Sequence, residues 1–253
     1  MRGELRPALP SRRQVLLTGA VMAASAVTAT QTATGDGYGS GPLGPWRDLD
    51  RSISPDEQVR RVVASDGVVM FGDSIAVQDG DPLAWTLAMR TGDALAMHNW
   101  SGQPSWAVVD ALGRWSREFG LPRRILMATG SNDIFAPPSF GRQVDRAMRI
   151  AGWARTVVWV NVHVDRVKLS PTVREADRRN TAWVNQQLEA RVRRFPNLRV
   201  VHWAEYLAAN PARVRNLRDG VHTSIPQGQS ARNRLIVDAL AAAKTTPPRP
   251  RSR

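Results

Sequence analysis

Gly67-Val68-Val69-Met70-Phe71-Gly72-Asp73-Ser74 joins a continuous apolar run to a glycine turn. A short run that is apolar on both alternating faces suits a strand of a parallel sheet, because helices cover that sheet on both sides. Downstream, residues 94–97 repeat the pattern weakly, 124–128 clearly and 156–162 (TVVWVNV) most strongly, and 198–202 make a fifth run. Helical periodicity fills the intervals at about 82–90, 105–118, 140–153, 173–194 and 226–243. In the longest, Ala176, Trp183, Leu188 and Val192 fall near one face and arginines occupy another. Strands alternating with crossovers of this length predict an α/β fold with a five-stranded parallel sheet between two helical layers. Ligands of such sheets bind beyond the carboxyl ends of the strands. Functional residues are therefore expected in the loops after Phe71, Met97, Ala128 and Val162.

The chain has 253 residues, 42% of them hydrophobic, which suits one sizeable domain rather than two. It contains no cysteine, which excludes disulfides, a thiol nucleophile and thiolate zinc sites. The net charge of +13 points towards nucleic acid until it is located. Residues 1–13 carry +3 and Lys244, Arg249, Arg251 and Arg253 add +4, leaving +6 for everything between. With over half of the excess at the two ends and no recognisable binding motif, no nucleic-acid partner is expected.

Ser11-Arg12-Arg13-Gln14-Val15-Leu16-Leu17 precedes a moderately apolar run over residues 18–29 that is rich in Ala, Ser and Thr. The pattern resembles a twin-arginine export signal. It is too short and too weakly apolar for a membrane span, so stable membrane insertion after cleavage is not expected. The predicted organisation is an export signal over 1–33, a Gly/Pro-rich linker over 34–54, the folded domain over 55–243 and a basic disordered tail over 244–253. A secreted, extracytoplasmic protein is the expectation.

Four stretches carry chemistry. Gly72-Asp73-Ser74 places a hydroxyl where a strand gives way to a helix, near exposed backbone N–H groups; turn and capping chemistry select the same residues. Gly102, in the loop after the second strand, offers a backbone N–H or simply permits a turn. In Gly130-Ser131-Asn132-Asp133 the Asn132 amide donates into the same region or forms an Asx turn. Asp219-Gly220-Val221-His222 spaces a carboxylate to hold His222 Nδ1–H and leave Nε2 as a base. Asp73 and Asp133 are read as residues that hold their loops. His98, His163 and Asp165 show no metal-ligand spacing, and neither a metal nor a cofactor is expected.

These blocks, in this order and at these strand ends, resemble the SGNH hydrolases, also called GDSL esterases and lipases. The resemblance covers about residues 67–243. It implies a flavodoxin-like three-layer α/β/α sandwich with Ser74 as nucleophile, His222 as base and Asp219 as its orienter. It further implies an oxyanion hole formed by Ser74, Gly102 and Asn132. Ile75 stands where the family motif has Leu, and Thr223 follows the histidine where Pro is common; neither touches a reacting atom. The implied activity is hydrolysis of a small-molecule, lipid or glycan ester through an acyl-enzyme. The absence of a long apolar lid favours short-chain or O-acetyl esters. The competing class is a non-catalytic cell-wall or glycan-binding protein on the same fold.

Overall fold

The computed structural model describes residues 37–246. The export-signal reading over 1–33 lies outside the described residues, as does the tail from 247 onward. The elements in chain order are β1 (Arg51–Ile53), α1 (Asp56–Ala64), β2 (Val68–Gly72), α2 (Ser74–Thr91), β3 (Leu95–Trp100), α3 (Ser105–Glu118) and β4 (Arg124–Ala128). Then follow α4 (Phe140–Ala151), β5 (Thr156–Val160), α5 (Pro171–Val192), β6 (Leu198–Val201), α6 (Trp203–Ala208) and α7 (Gln227–Thr245). Short 3-10 turns occupy Ser131–Phe135, Pro137–Ser139 and Pro211–Asn216.

The period-two geometry of a strand sorts each apolar run into two cores. Val69, Phe71, Ile125, Met127, Val157 and Trp159 face α1, α3, α4 and α5. Val68, Met70, Leu126, Ala128, Val158 and Val160 face α2, α6 and α7. The residues of β2, β4 and β5 are all buried, which explains why these strands read as continuous apolar runs. The five parallel strands run in the order β3-β2-β4-β5-β6. From β2 the chain passes first to one side and then to the other, so the strand order reverses beside β2. A crevice opens at the carboxyl end of such a switch point, and Ser74 follows directly from that end.

The sheet has six strands and is mixed, not five-stranded and parallel. β1 pairs antiparallel with β3, matching Arg51 to Trp100 and Ile53 to His98. This three-residue edge strand shows solvent on both outer positions, so it has no apolar pattern to read. The stretch 34–54, read as a linker, thus supplies a strand and part of the core. Trp46 is buried and meets Trp100 edge-on at 5.2 Å between ring centroids. Ser40 is buried and accepts from Asn180 Nδ2 at 2.8 Å.

Two helix boundaries also differ. α2 begins at Ser74 rather than at 82, with Pro82 inside it. The missing proline N–H orphans the Gln78 carbonyl, and Gln229 Nε2 of α7 donates to that oxygen at 3.1 Å. α7 continues through Lys244, which the tail reading left disordered; its ammonium pairs with Asp93 at 2.9 Å. Trp183, assigned to the apolar face of α5, is exposed and packs edge-on against Tyr38 instead.

Candidate active site

The turn after β2 is tightly built. A Cβ on Gly72 would lie 2.2 Å from Ala76 Cβ and 2.9 Å from the Ala128 carbonyl oxygen, so only glycine fits where the strand enters α2. Asp73 is the N-cap, and its Oδ1 accepts from Ile75 N at 3.1 Å. Ser74 is therefore the first helical residue and not the cap. Its backbone N–H belongs to the first turn of the helix, where no intrahelical acceptor exists.

Residues 148 positions apart meet here: His222 Nε2 lies 2.9 Å from Ser74 Oγ. On the other side of the ring, Nδ1 lies 2.8 Å from Asp219 Oδ2. Asp219 Oδ1 accepts from the backbone N–H groups of Val221 at 3.0 Å and His222 at 2.8 Å. Burial alone would raise the Asp219 pKa, but these hydrogen bonds and the His222 ring outweigh it and hold the carboxyl below its ordinary value. The loop is pinned from outside by backbone pairing. Asp165 N donates to Gly220 O at 3.0 Å, and Val167 N donates to Asp219 O at 3.3 Å. Gly220 has φ +86°, and a Cβ there would fall 1.8 Å from the Asp165 carbonyl oxygen.

Ser74, Asn132, Asp219 and His222 line one cavity of about 390 Å³. Asn132 Nδ2 donates to Gln103 O at 3.2 Å, which ties it to the loop that holds Gly102. Gly102 has φ +71° and packs beneath Trp46 and Leu49; it does not line this cavity. The structure thus gathers four of the five expected site residues around one space and sets Gly102 in the adjoining loop. The rest of the lining is largely apolar, with Ile134, Phe135, Val164, Leu169 and Val221, and it includes Arg166 and Lys168. The sequence reading assigned neither cation to the site, although they follow β5 in a loop whose position marked it for inspection.

Asp73 and Asp133 serve the scaffold. Ser131 Oγ donates to Asp73 Oδ2 at 2.6 Å, and Asp133 accepts from Ser105 N at 3.0 Å and Ser105 Oγ at 2.5 Å. Burial pushes the Asp133 carboxyl up to about 7, and the nearby Asp73 charge adds to the rise. The folded state therefore holds a proton that the unfolded chain releases near pH 4, and stability falls as pH rises from about 4 to 7. Asp133→Asn keeps both contacts to Ser105 by donating to Oγ and accepting from N. Chemical denaturation is expected to show the wild-type chain losing, relative to this variant, on the order of 3 kcal/mol across that window. Parallel pH profiles for the two proteins would show that Asp133 is ionised throughout.

His98 and His163 stay out of the cavity. His98 is buried against Phe71 and Trp115, and burial lowers its pKa to about 4, so it packs as a neutral ring. Burial likewise lowers the His163 pKa. Asp165 is held by Arg174 at 2.7 Å and Arg178 at 3.3 Å. Among the described residues, no group of three or more His, Asp or Glu side chains is placed to hold a metal.

Solved structures share this architecture. The catalytic domain of the peptidoglycan O-acetyltransferase A of Streptococcus pneumoniae superposes with a TM-score of 0.54 at 17% identity, covering 71% of this chain and 93% of that one. A member of the lipolytic G-D-S-L family from Veillonella parvula superposes with a TM-score of 0.52 at 16% identity, covering 71% and 98%. A family 3 carbohydrate esterase from Talaromyces cellulolyticus gives 0.50 at 18% identity, covering 71% and 99%. This is the SGNH hydrolase fold. No family model and no curated protein sequence matches the chain.

Within this SGNH fold the residue after the histidine proves more consequential than its sequence position suggested. Thr223 is fully buried, and its Oγ1 donates to Asp79 Oδ1 at 2.7 Å. Gln78 Nε2 donates to both Thr223 Oγ1 at 2.5 Å and Thr223 O at 3.0 Å. Asp79 is itself fully buried and pairs with Arg232 of α7 at 3.3 Å. A polar cluster from α2 and α7 thus anchors the His222 loop from within. Nothing in the sequence marks Asp79, which is one of two acidic residues on its helix.

Proposed function

We propose that this protein is a serine hydrolase of carboxylic esters that works through an acyl-enzyme on Ser74. The observation that carries the reading is the relay of Ser74 Oγ, His222 and Asp219 at 2.9 and 2.8 Å, on the lip of a cavity at the sheet's switch point. In this reading His222 Nε2 takes the Ser74 proton as Oγ bonds to the ester carbonyl carbon. The oxyanion is met by the Ser74 N–H and the Asn132 amide. His222 then returns the proton to the leaving alkoxide as the C–O bond breaks. Water repeats the cycle in reverse and frees the acid. Asp219 stays ionised and holds the ring in the required tautomer.

The apolar wall and the modest cavity favour a short acyl or O-acetyl group. The resemblance of residues 11–29 to an export signal favours action outside the cytoplasm. Among the described residues, no helix is long and apolar enough to cross a membrane. The test is a fluorophosphonate probe together with a panel of acetyl, butyryl and longer acyl esters, run with and without a sugar acceptor. Mass spectrometry is expected to find the phosphonyl adduct on Ser74, and turnover is expected to decline with acyl length. An unlabelled protein that turns over no ester would overturn the reading in favour of a binding protein.

A further inference from the structure

The charge balance of the cavity leaves one cation over. Among its lining residues, Asp219 is committed to His222, and Arg166 is committed to Asp177 through contacts of 2.8 Å and 2.6 Å. The neighbouring carboxylate, Asp165, is spent on Arg174 and Arg178. Lys168 has no hydrogen-bond or ion-pair partner among the described residues. It is also one of only two lysines in a chain whose positive charge is otherwise arginine.

The backbone of the turn that carries it is pinned by hydrogen bonds. Leu169 N donates to Arg166 O at 2.9 Å, closing a turn with Val167 and Lys168 at its corner. Immediately before that corner, Asp165 N and Val167 N are bonded to Gly220 and Asp219, the loop that carries His222. The backbone that presents the ammonium is thus hydrogen-bonded to the backbone that presents the base. Phe135 and Leu169 line the same cavity, so the space combines an apolar surface with an uncompensated positive charge.

Resting on the ester-hydrolase reading above, we propose that Lys168 selects esters that carry an anionic group, a carboxylate or phosphate, at a point remote from the scissile carbonyl. The apolar part of such a substrate lies along Phe135 and Leu169 while the anion meets the ammonium. A compact, hydrated lysine suits a mobile anion that approaches from solvent better than a committed guanidinium does.

Two matched pairs of esters test this and locate the anion. On the alcohol side, 4-acetoxybenzoate is compared with neutral 4-acetoxybenzamide; on the acyl side, the nitrophenyl monoester of glutaric acid is compared with nitrophenyl valerate. The anionic member of one pair is expected to have a kcat/KM roughly five- to tenfold above its neutral partner at low ionic strength, shrinking as salt is added. Lys168→Met is expected to bring that ratio to about one, and Lys168→Glu to invert it. Ratios that do not move in either variant overturn the proposal. Calorimetry on the Ser74→Ala chain reads the same selectivity without turnover. There, tighter binding of an anionic member that is lost with Lys168→Met supports the proposal, and equal binding sinks it. Failure of all ester turnover would count against the ester-hydrolase reading and leaves this binding test decisive for Lys168.

Discussion

Replacing Ser74 by alanine is expected to lower kcat on a short acyl ester by about five to six orders of magnitude, to whatever residual rate the binding cavity supports. The substitution removes one oxygen, the atom 2.9 Å from His222 Nε2. A competing account makes this serine a helix cap, and the structure lets the two be separated. Asp73 occupies the N-cap and accepts from Ile75 N, so Ser74→Ala leaves the cap in place. The thermal midpoint should therefore move by no more than a few degrees while turnover disappears. Groups that act as a unit lose their effects together, so adding His222→Ala to Ser74→Ala should cost little more. Stopped assays for the residual rate, beside calorimetric unfolding of both variants, provide the check. A Ser74→Ala protein that unfolds normally and retains a tenth of the wild-type rate would place the nucleophile elsewhere.

Asn132→Ala is expected to lower kcat by about a hundred- to a thousandfold and to leave KM within a few fold. A donor aimed at the oxyanion strengthens only as negative charge develops, so its loss is felt in the transition state and hardly in the bound ester. Asn132 suits that task because it lines the cavity and its amide is tied to Gln103 O at 3.2 Å, a bond that takes one N–H and leaves the second for a ligand. Steady-state kinetics on a neutral short-chain ester separate the two parameters. A raised KM with unchanged kcat would recast Asn132 as a residue that binds the ground state.

Much of the fold was legible because its strongest signals are local. Continuous apolar runs at Val68–Gly72, Arg124–Ala128 and Thr156–Val160 announce strands covered on both faces, and the helix at Ser105–Glu118 announces itself by periodicity. What failed was also local in cause. Arg51–Ile53 has too few residues and too much solvent to show a pattern, and its pairing with β3 exists only once β3 is in place. Pro82 read as a helix start because its cost within a helix is visible in sequence. The remedy, Gln229 donating to the orphaned Gln78 carbonyl, comes from a helix about 150 positions away.

The chemistry divides along the same line. The identities and order of Gly72-Asp73-Ser74, Asn132 and Asp219–His222 can be read in the chain alone, because strand ends and the contact of a carboxylate with a ring three residues away are short-range matters. Whether Ser74 reaches His222, that Asp79 and Arg232 brace the neighbouring Thr223, and that Arg166 is neutralised while Lys168 is not were decided only by tertiary structure. Each depends on which groups lie within about 3 Å across long loops, and hydrogen bonds and ion pairs act over that distance, not along the sequence.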